Sequence, residues 1–353
     1  MKKQLTFNSL ALLSLVLLCA TGCKKEKSII KGQLPATPES EAVVYLRDYK
    51  EPTKVLDSVI LKNEVNYQFE FDAPQDSKSL WVIQRPQVGD KKPAKITFIP
   101  EKGQITINED EIATGTPLND ELATFERDFR AIMQSGKGEE ETIQEMLKKS
   151  NDFLDKHADH PMAIIPFNFI ASYAPDLATK MDAVKKLDGR FDDYQEVANN
   201  TQMIKNLGAT SAGEQFKDFD AVLYTSAKAE GKAAKISDFL GKGQYVLVDF
   251  FASWCPPCRA EIKDTLKPLY KEFRNKGLAI VGVSVSDKLE DNLKCIETLG
   301  IEWPVMYDAE NAGANLYGIT TIPMIMLVAP DGKIVARNIY GDEVREAVEK
   351  AFK

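Results

Sequence analysis

The chain has 353 residues, 44% of them apolar and 28% charged, with a formal net charge of −8. That length holds two or three domains. The acidic balance excludes nonspecific nucleic-acid binding, and five cysteines, two of them in the first 23 residues, exclude a disulfide-stapled scaffold.

Residues 1–22 read as an export signal. Lys2 and Lys3 precede Leu10–Ala20, an eleven-residue apolar run too short to span a bilayer comfortably. The run ends in Ala20-Thr21-Gly22-Cys23, which resembles the lipobox of bacterial lipoproteins, with Ala20 where Leu is usual. The resemblance implies that Cys23 is lipidated and heads the mature chain. The protein is then expected in the cell envelope, facing the periplasm and touching the membrane through its lipid anchor only. Plain signal cleavage, leaving Cys23 as a free thiol, is the alternative. No other segment qualifies as transmembrane, and residues 23–27 read as a tether.

Residues 28–115 carry a β pattern. Ala42–Leu46, Val55–Leu61, Tyr67–Phe71, Leu80–Ile83, Ile96–Ile99 and Gln104–Ile107 are short apolar runs separated by Asp, Asn, Gly and Pro. Such spacing predicts a small antiparallel sandwich or barrel. Tyr67, Phe69 and Phe71 alternate with Gln68 and Glu70, so one face is expected inside and the other in water.

Residues 116–207 change to helical periodicity, with helices expected at about 117–134, 139–157, 161–173, 176–187 and 190–206. Leu118, Leu122, Phe125, Phe129 and Ile132 form one such stripe. His157 and His160, three apart at a helix end, can clamp a metal; capping or surface roles suit them better without a carboxylate–cysteine cluster.

Residues 208–353 alternate strands and helices. A hairpin around Gly231 is expected, then a buried strand at Val246–Phe250, a helix at 256–276, a strand at Leu278–Val285 and a helix at Lys288–Leu299. A short strand at Trp303–Tyr307, a helix at Glu310–Tyr317, a hairpin turning at Asp331-Gly332 and a helix at 342–352 complete the pattern, an α/β layer with helices on both faces. The strand at Val246 runs straight into Cys255-Pro256-Pro257-Cys258 and the helix behind it. Cys255 is thereby placed at a helix N-terminus, exposed, where free backbone N–H groups and the helix dipole favour a thiolate. Cys258 lies one turn in, spaced to resolve a mixed disulfide. The pair therefore points to thiol–disulfide exchange. The rival, half of a zinc site, lacks a second Cys-x-x-Cys. Cys295, beside Leu293 and Ile296, reads as a buried inert thiol. Asp249 interrupts the apolar strand, and burial should raise its pKa.

Three separated motifs carry a family resemblance: Val248-Asp-Phe-Phe-Ala-Ser-Trp-Cys-Pro-Pro-Cys258 with Arg259-Ala-Glu261, Tyr317-Gly-Ile-Thr-Thr-Ile-Pro-Met324, and the Asp331-Gly-Lys turn with Gly341 beyond it. On these, residues 208–353 resemble a thioredoxin-fold domain of TlpA-like thiol–disulfide oxidoreductases. The helix and strand at 288–307 resemble the insert of TlpA-like and peroxiredoxin-like members. The resemblance implies a redox-active Cys255–Cys258 disulfide and a cis Pro323 facing it. It implies that Ile322 offers its backbone to a substrate strand and that Trp254 forms an apolar ledge. Asp249 resembles the acid that exchanges a proton with the inner thiol, although the family's lysine partner is missing from Leu278–Val285. Glu261 is either a second acid or a solvated helix residue. The implied activity is reduction of protein disulfides, with electrons from a membrane thiol relay and with no metal, nicotinamide or flavin cofactor. Two rivals stand. One is a peroxidase, against which Ala252 lacks the Thr or Ser hydroxyl three residues before the reactive cysteine. The other is a ligand- or partner-binding lipoprotein with an accessory redox domain.

Overall fold

The computed structural model describes residues 27–353; the export signal, the lipobox, Cys23 and all of the tether but Lys27 lie outside them. Two compact units emerge, residues 27–48 with 53–120 and residues 49–52 with 121–353.

The first unit holds eight strands: β1 (Ser28–Gln33), β2 (Ala42–Asp48), β3 (Val55–Leu61), β4 (Asn66–Phe71), β5 (Trp81–Arg85), β6 (Ala94–Phe98), β7 (Gln104–Ile107) and β8 (Ala113–Thr114). They make two four-stranded sheets, ordered β4-β1-β7-β8 and β3-β2-β5-β6. Tyr67, Phe69 and Phe71 point inward as their alternation predicts. Ile30, Phe69 and Ile105 from one sheet meet Val44, Ile83 and Phe98 from the other in one core, a sandwich. Each such side chain contributes about 1.5–3 kcal/mol on burial. One pair departs from the antiparallel expectation: β1 runs parallel to β7, with Ile30 opposite Ile105. Only Ile29 and Ile30 mark β1 in the sequence, too short a run to read as a strand alone.

Helix α1 (Pro117–Met133) follows. Its first turn is held by Glu101, whose Oε2 accepts from the Thr116 hydroxyl (2.6 Å) and from the Leu118 and Asn119 N–H groups (2.9 and 3.1 Å). The second unit continues with α2 (Glu139–His157), α3 (Ile164–Tyr173), α4 (Leu177–Leu187) and α5 (Gln195–Ala209). Asp176 caps α4 by accepting from Thr179 N (2.8 Å). The expected helix at 190–206 starts only at Gln195, because Asp188 and Gly189 take positive φ and a turn follows.

The remainder is β9 (Asp220–Tyr224), β10 (Lys232–Lys235), β11 (Tyr245–Phe251), α6 (Pro256–Glu261), α7 (Lys267–Phe273), β12 (Leu278–Val285), α8 (Leu289–Leu299), β13 (Val305–Asp308), α9 (Ala312–Leu316), β14 (Met324–Val328), β15 (Ile334–Ile339) and α10 (Asp342–Ala351). The seven strands form one sheet, β10-β9-β13-β12-β11-β14-β15. β11, β12 and β13 are parallel, which is why β11 and β12 are buried along nearly their whole length. One face packs Leu247 and Phe251 against Ile262, Leu266, Ile296 and Val344 of the helices. The other packs Val248 and Phe250 against Ile236, Ala314 and Tyr317. The single helix expected over 256–276 is broken by a π turn at Ile262–Leu266, where Lys267 N–H reaches back to Ile262 O. Pro268 follows and has no N–H to give, so regular α bonding cannot run through this point.

Candidate active site

β11 carries the chain from the sheet's middle to Ala252, and a turn closes with Cys255 N–H donating to Ala252 O (3.1 Å). Cys255 then caps α6: its Sγ lies 3.2 Å from Cys258 N, and Pro256 and Pro257 occupy the first turn, where their missing N–H groups cost nothing. Cys255 and Cys258 are joined by a disulfide, with Cα atoms 5.3 Å apart. Both sulfurs are enclosed. Cys258 is fully buried, and Cys255 retains only 3% exposure, which corrects the exposed position expected for it. The cover comes from the loop before β14, whose Ile322 carbonyl oxygen lies 3.9 Å from Cys255 Sγ. The Ile322–Pro323 peptide is cis, and both residues are half-buried. Trp254, by contrast, is 62% exposed and stands beside the disulfide with its indole N–H donating to Ser286 O (2.8 Å).

On β11, the strand that leads to the disulfide, Asp249 is 1% exposed and neither carboxylate oxygen has a hydrogen-bond partner among the described residues. Burial first, and the nearby Glu261 carboxylate second, push its pKa up to about 8. Its strand neighbours are Gly282 and Ile325. Gly282 matters here because a Cβ would meet Phe251 at 3.1 Å and Val305 at 3.3 Å; the indole nitrogen of Trp303, itself unpartnered, lies 3.6 Å from that point. Glu261 is half-buried on α6 and accepts from Gly341 N (2.8 Å), tying α6 to the start of α10.

Residues 212–337 match the AhpC/TSA family, and residues 28–122 match a domain of unknown function, DUF4369. Residues 212–337 are a thioredoxin-like domain of the AhpC/TSA family. This domain is similar to the thiol-disulfide oxidoreductase ResA of Bacillus subtilis, 30% identical over 116 residues, which are 33% of this chain and 63% of that protein. The ResA of Oceanobacillus iheyensis is 31% identical over 122 residues, 35% of this chain and 62% of that one. The chain thus covers less than two thirds of either relative. Among solved structures, the thioredoxin domain of a thiol-disulfide oxidoreductase from Bacteroides vulgatus matches with 33% identity and a TM-score of 0.36, over 40% of this chain and 99% of that one.

The AhpC/TSA domain also uses a residue that the sequence patterns did not single out. The Asp287 carboxylate accepts from Ser253 N (2.6 Å), the Ser253 hydroxyl (2.7 Å), the Ser284 hydroxyl (3.3 Å) and Lys288 N (2.8 Å). It clamps the turn that presents Trp254 and Cys255 to the end of β12. Its partner Ser253 is 34 positions away, so no local pattern marks it. Cys295 is a free buried thiol in the same core as the disulfide, its pKa raised by burial. The two histidines lie elsewhere: His160 Nδ1 accepts from Met162 N (3.1 Å) and His157 packs on Phe153 with ring centroids 4.5 Å apart. No helix among the described residues is long and apolar enough to cross a membrane.

Proposed function

We propose that this chain is an extracytoplasmic thiol–disulfide oxidoreductase, anchored by lipid at Cys23, that reduces protein disulfides. The observation that carries this reading is the Cys255–Cys258 disulfide at the N-terminus of α6, with a backbone N–H aimed at Cys255 Sγ. In the reduced protein that N–H and the helix end stabilise a thiolate on Cys255. The thiolate attacks one sulfur of a substrate disulfide, and the other substrate sulfur leaves as a thiolate. Cys258, losing its proton, then attacks Cys255 Sγ, breaks the mixed disulfide and frees the second substrate thiol. Two electrons pass from the dithiol to the substrate, and a membrane thiol relay restores the dithiol.

Asp249 takes the proton that Cys258 must lose. It is buried on the strand that leads to the pair, and with a pKa near 8 it exchanges protons at physiological pH. Glu261 tunes Asp249 through its charge. Trp254 and the Ile322-Pro323 loop receive the substrate: Ile322 precedes the laddered part of β14 and its carbonyl faces Cys255, so a substrate strand can pair there.

Insulin reduction supplied with dithiothreitol tests the reading. The wild type accelerates insulin precipitation, and Cys255→Ser returns the rate to that of dithiothreitol alone. Equal rates for both proteins would sink it.

A further inference from the structure

Next to the redox centre lies a cavity of about 460 Å³ between the α3–α5 helices and the loop before β14. Leu177, Leu207 and Ile319 are among its apolar lining residues, and Thr320 and Thr321, both exposed, line it too. The helices are seated firmly against this loop. Gly318 has φ +59°, and a Cβ there would come within 2.6 Å of Met203 O and 2.9 Å of Leu207 N, so α5 lies directly on it. Asn206 Nδ2 donates to Asn315 O (2.8 Å) beside it.

The charge of the cavity is one-sided. Among the described residues, its lining contains Lys180 and Arg337 and no acidic residue. Lys180 Nζ donates to Ala171 O, and Arg337 donates to Thr210 O (2.9 Å), to the Thr210 hydroxyl and to Tyr317 O. All these partners are neutral, and Asp176 acts on Lys180 only at longer range. Burial lowers both cations' pKa values, Arg337 to about 10. Two half-buried cations, neither hydrogen-bonded to a carboxylate among the described residues, stand out in a protein of net charge −8.

We propose that this cavity is a subsite for the stretch of a polypeptide substrate that flanks its reactive cysteine, and that it selects a carboxylate-bearing side chain there. The inference rests on the thiol-exchange reading and deepens it. A chain whose cysteine meets Cys255 and whose backbone follows Ile322 continues past Thr321 and Thr320 into the cavity. At about 3.3 Å per residue, the selected side chain lies within about three residues of the cysteine. The helical region thereby acquires a task, as the wall that reads the substrate.

The test uses the reduced full-length protein and short synthetic peptides, each with one cysteine as a mixed disulfide with thiopyridine. In one peptide glutamates flank the cysteine, and in the other lysines do. Each rate of thiopyridone release is divided by the same protein's rate on dipyridyl disulfide, at about 0.15 M ionic strength to suppress long-range charge effects. The wild type is expected to favour the glutamate peptide by about tenfold, the scale of one charge-assisted contact. Lys180→Glu should erase that preference, and so should Thr320→Glu, an exposed substitution that spares the core. No preference in the wild type, or the same preference in both variants, would overturn the inference. A wild type no faster than Cys255→Ser on dipyridyl disulfide would bring down the thiol-exchange reading itself, and the subsite with it.

Discussion

Asp249 is the residue where stability and chemistry pull against each other. A carboxyl whose pKa is about 8 when folded and near 4 when unfolded keeps its proton in the native state after the unfolded chain has lost it. Its contribution is therefore fully present below pH 4 and is lost as pH rises towards 8. Asp249→Asn removes that slope. Relative to wild type, the variant should gain on the order of 3 kcal/mol between pH 5 and pH 8, read by urea unfolding of the oxidised protein. Resolution of the mixed disulfide should rise with pH through about 8 in wild type and be slow and flat in the variant. Parallel stability curves for the two proteins across pH 5–8 would show that the carboxyl does not titrate as described. The placement of Asp249 was legible in the sequence, because a charged residue inside Val246–Phe250 has nowhere to go but the core. That both its oxygens lack partners was not, since it depends on Gly282 and Ile325 arriving beside it from other strands.

Among the secondary-structure elements, the strand-to-helix turn of β11 and α6 was the plainest feature in the sequence: a β-branched apolar run, then Cys-Pro-Pro-Cys, then helical spacing. The long-range contacts that hold this turn and the loop before β14 were hidden. Asp287 grips Ser253 across 34 positions, and α5 is fitted against Gly318 through a backbone approach that no periodicity records. The π turn at Ile262–Leu266 carried only one cue, Pro268. Gly318→Ala is expected to destabilise the protein by about 2 kcal/mol or more, because the new methyl must displace α5 backbone and adopt a positive φ. Chemical denaturation measures this; a loss below about 0.5 kcal/mol would mean that α5 yields freely.

For the molecule as a whole, composition and pattern sufficed to separate a β region, a helical region and an α/β region. The parallel β1–β7 pair escaped because two isoleucines make a weak strand signal. The cavity beside the redox centre escaped because its cations, Lys180 and Arg337, belong to segments far apart in sequence. The lipobox reading makes a prediction at this scale. Expressed with its native leader in a bacterium, the protein should incorporate labelled fatty acid and partition into detergent in a Triton X-114 phase separation. Cys23→Ser should abolish the label and move the protein to the aqueous phase, and a wild type that stays aqueous and unlabelled would favour plain cleavage of the leader.

The most direct measurement is capture of the reaction half-way. Reduced Cys258→Ala protein, mixed with insulin and analysed by non-reducing mass spectrometry after digestion, should hold insulin in a one-to-one disulfide through Cys255, whereas wild type passes on to free thiols. Insulin linked through Cys295, or no adduct at all, would contradict the assignment of Cys255 as the attacking sulfur and Cys258 as the one that releases it.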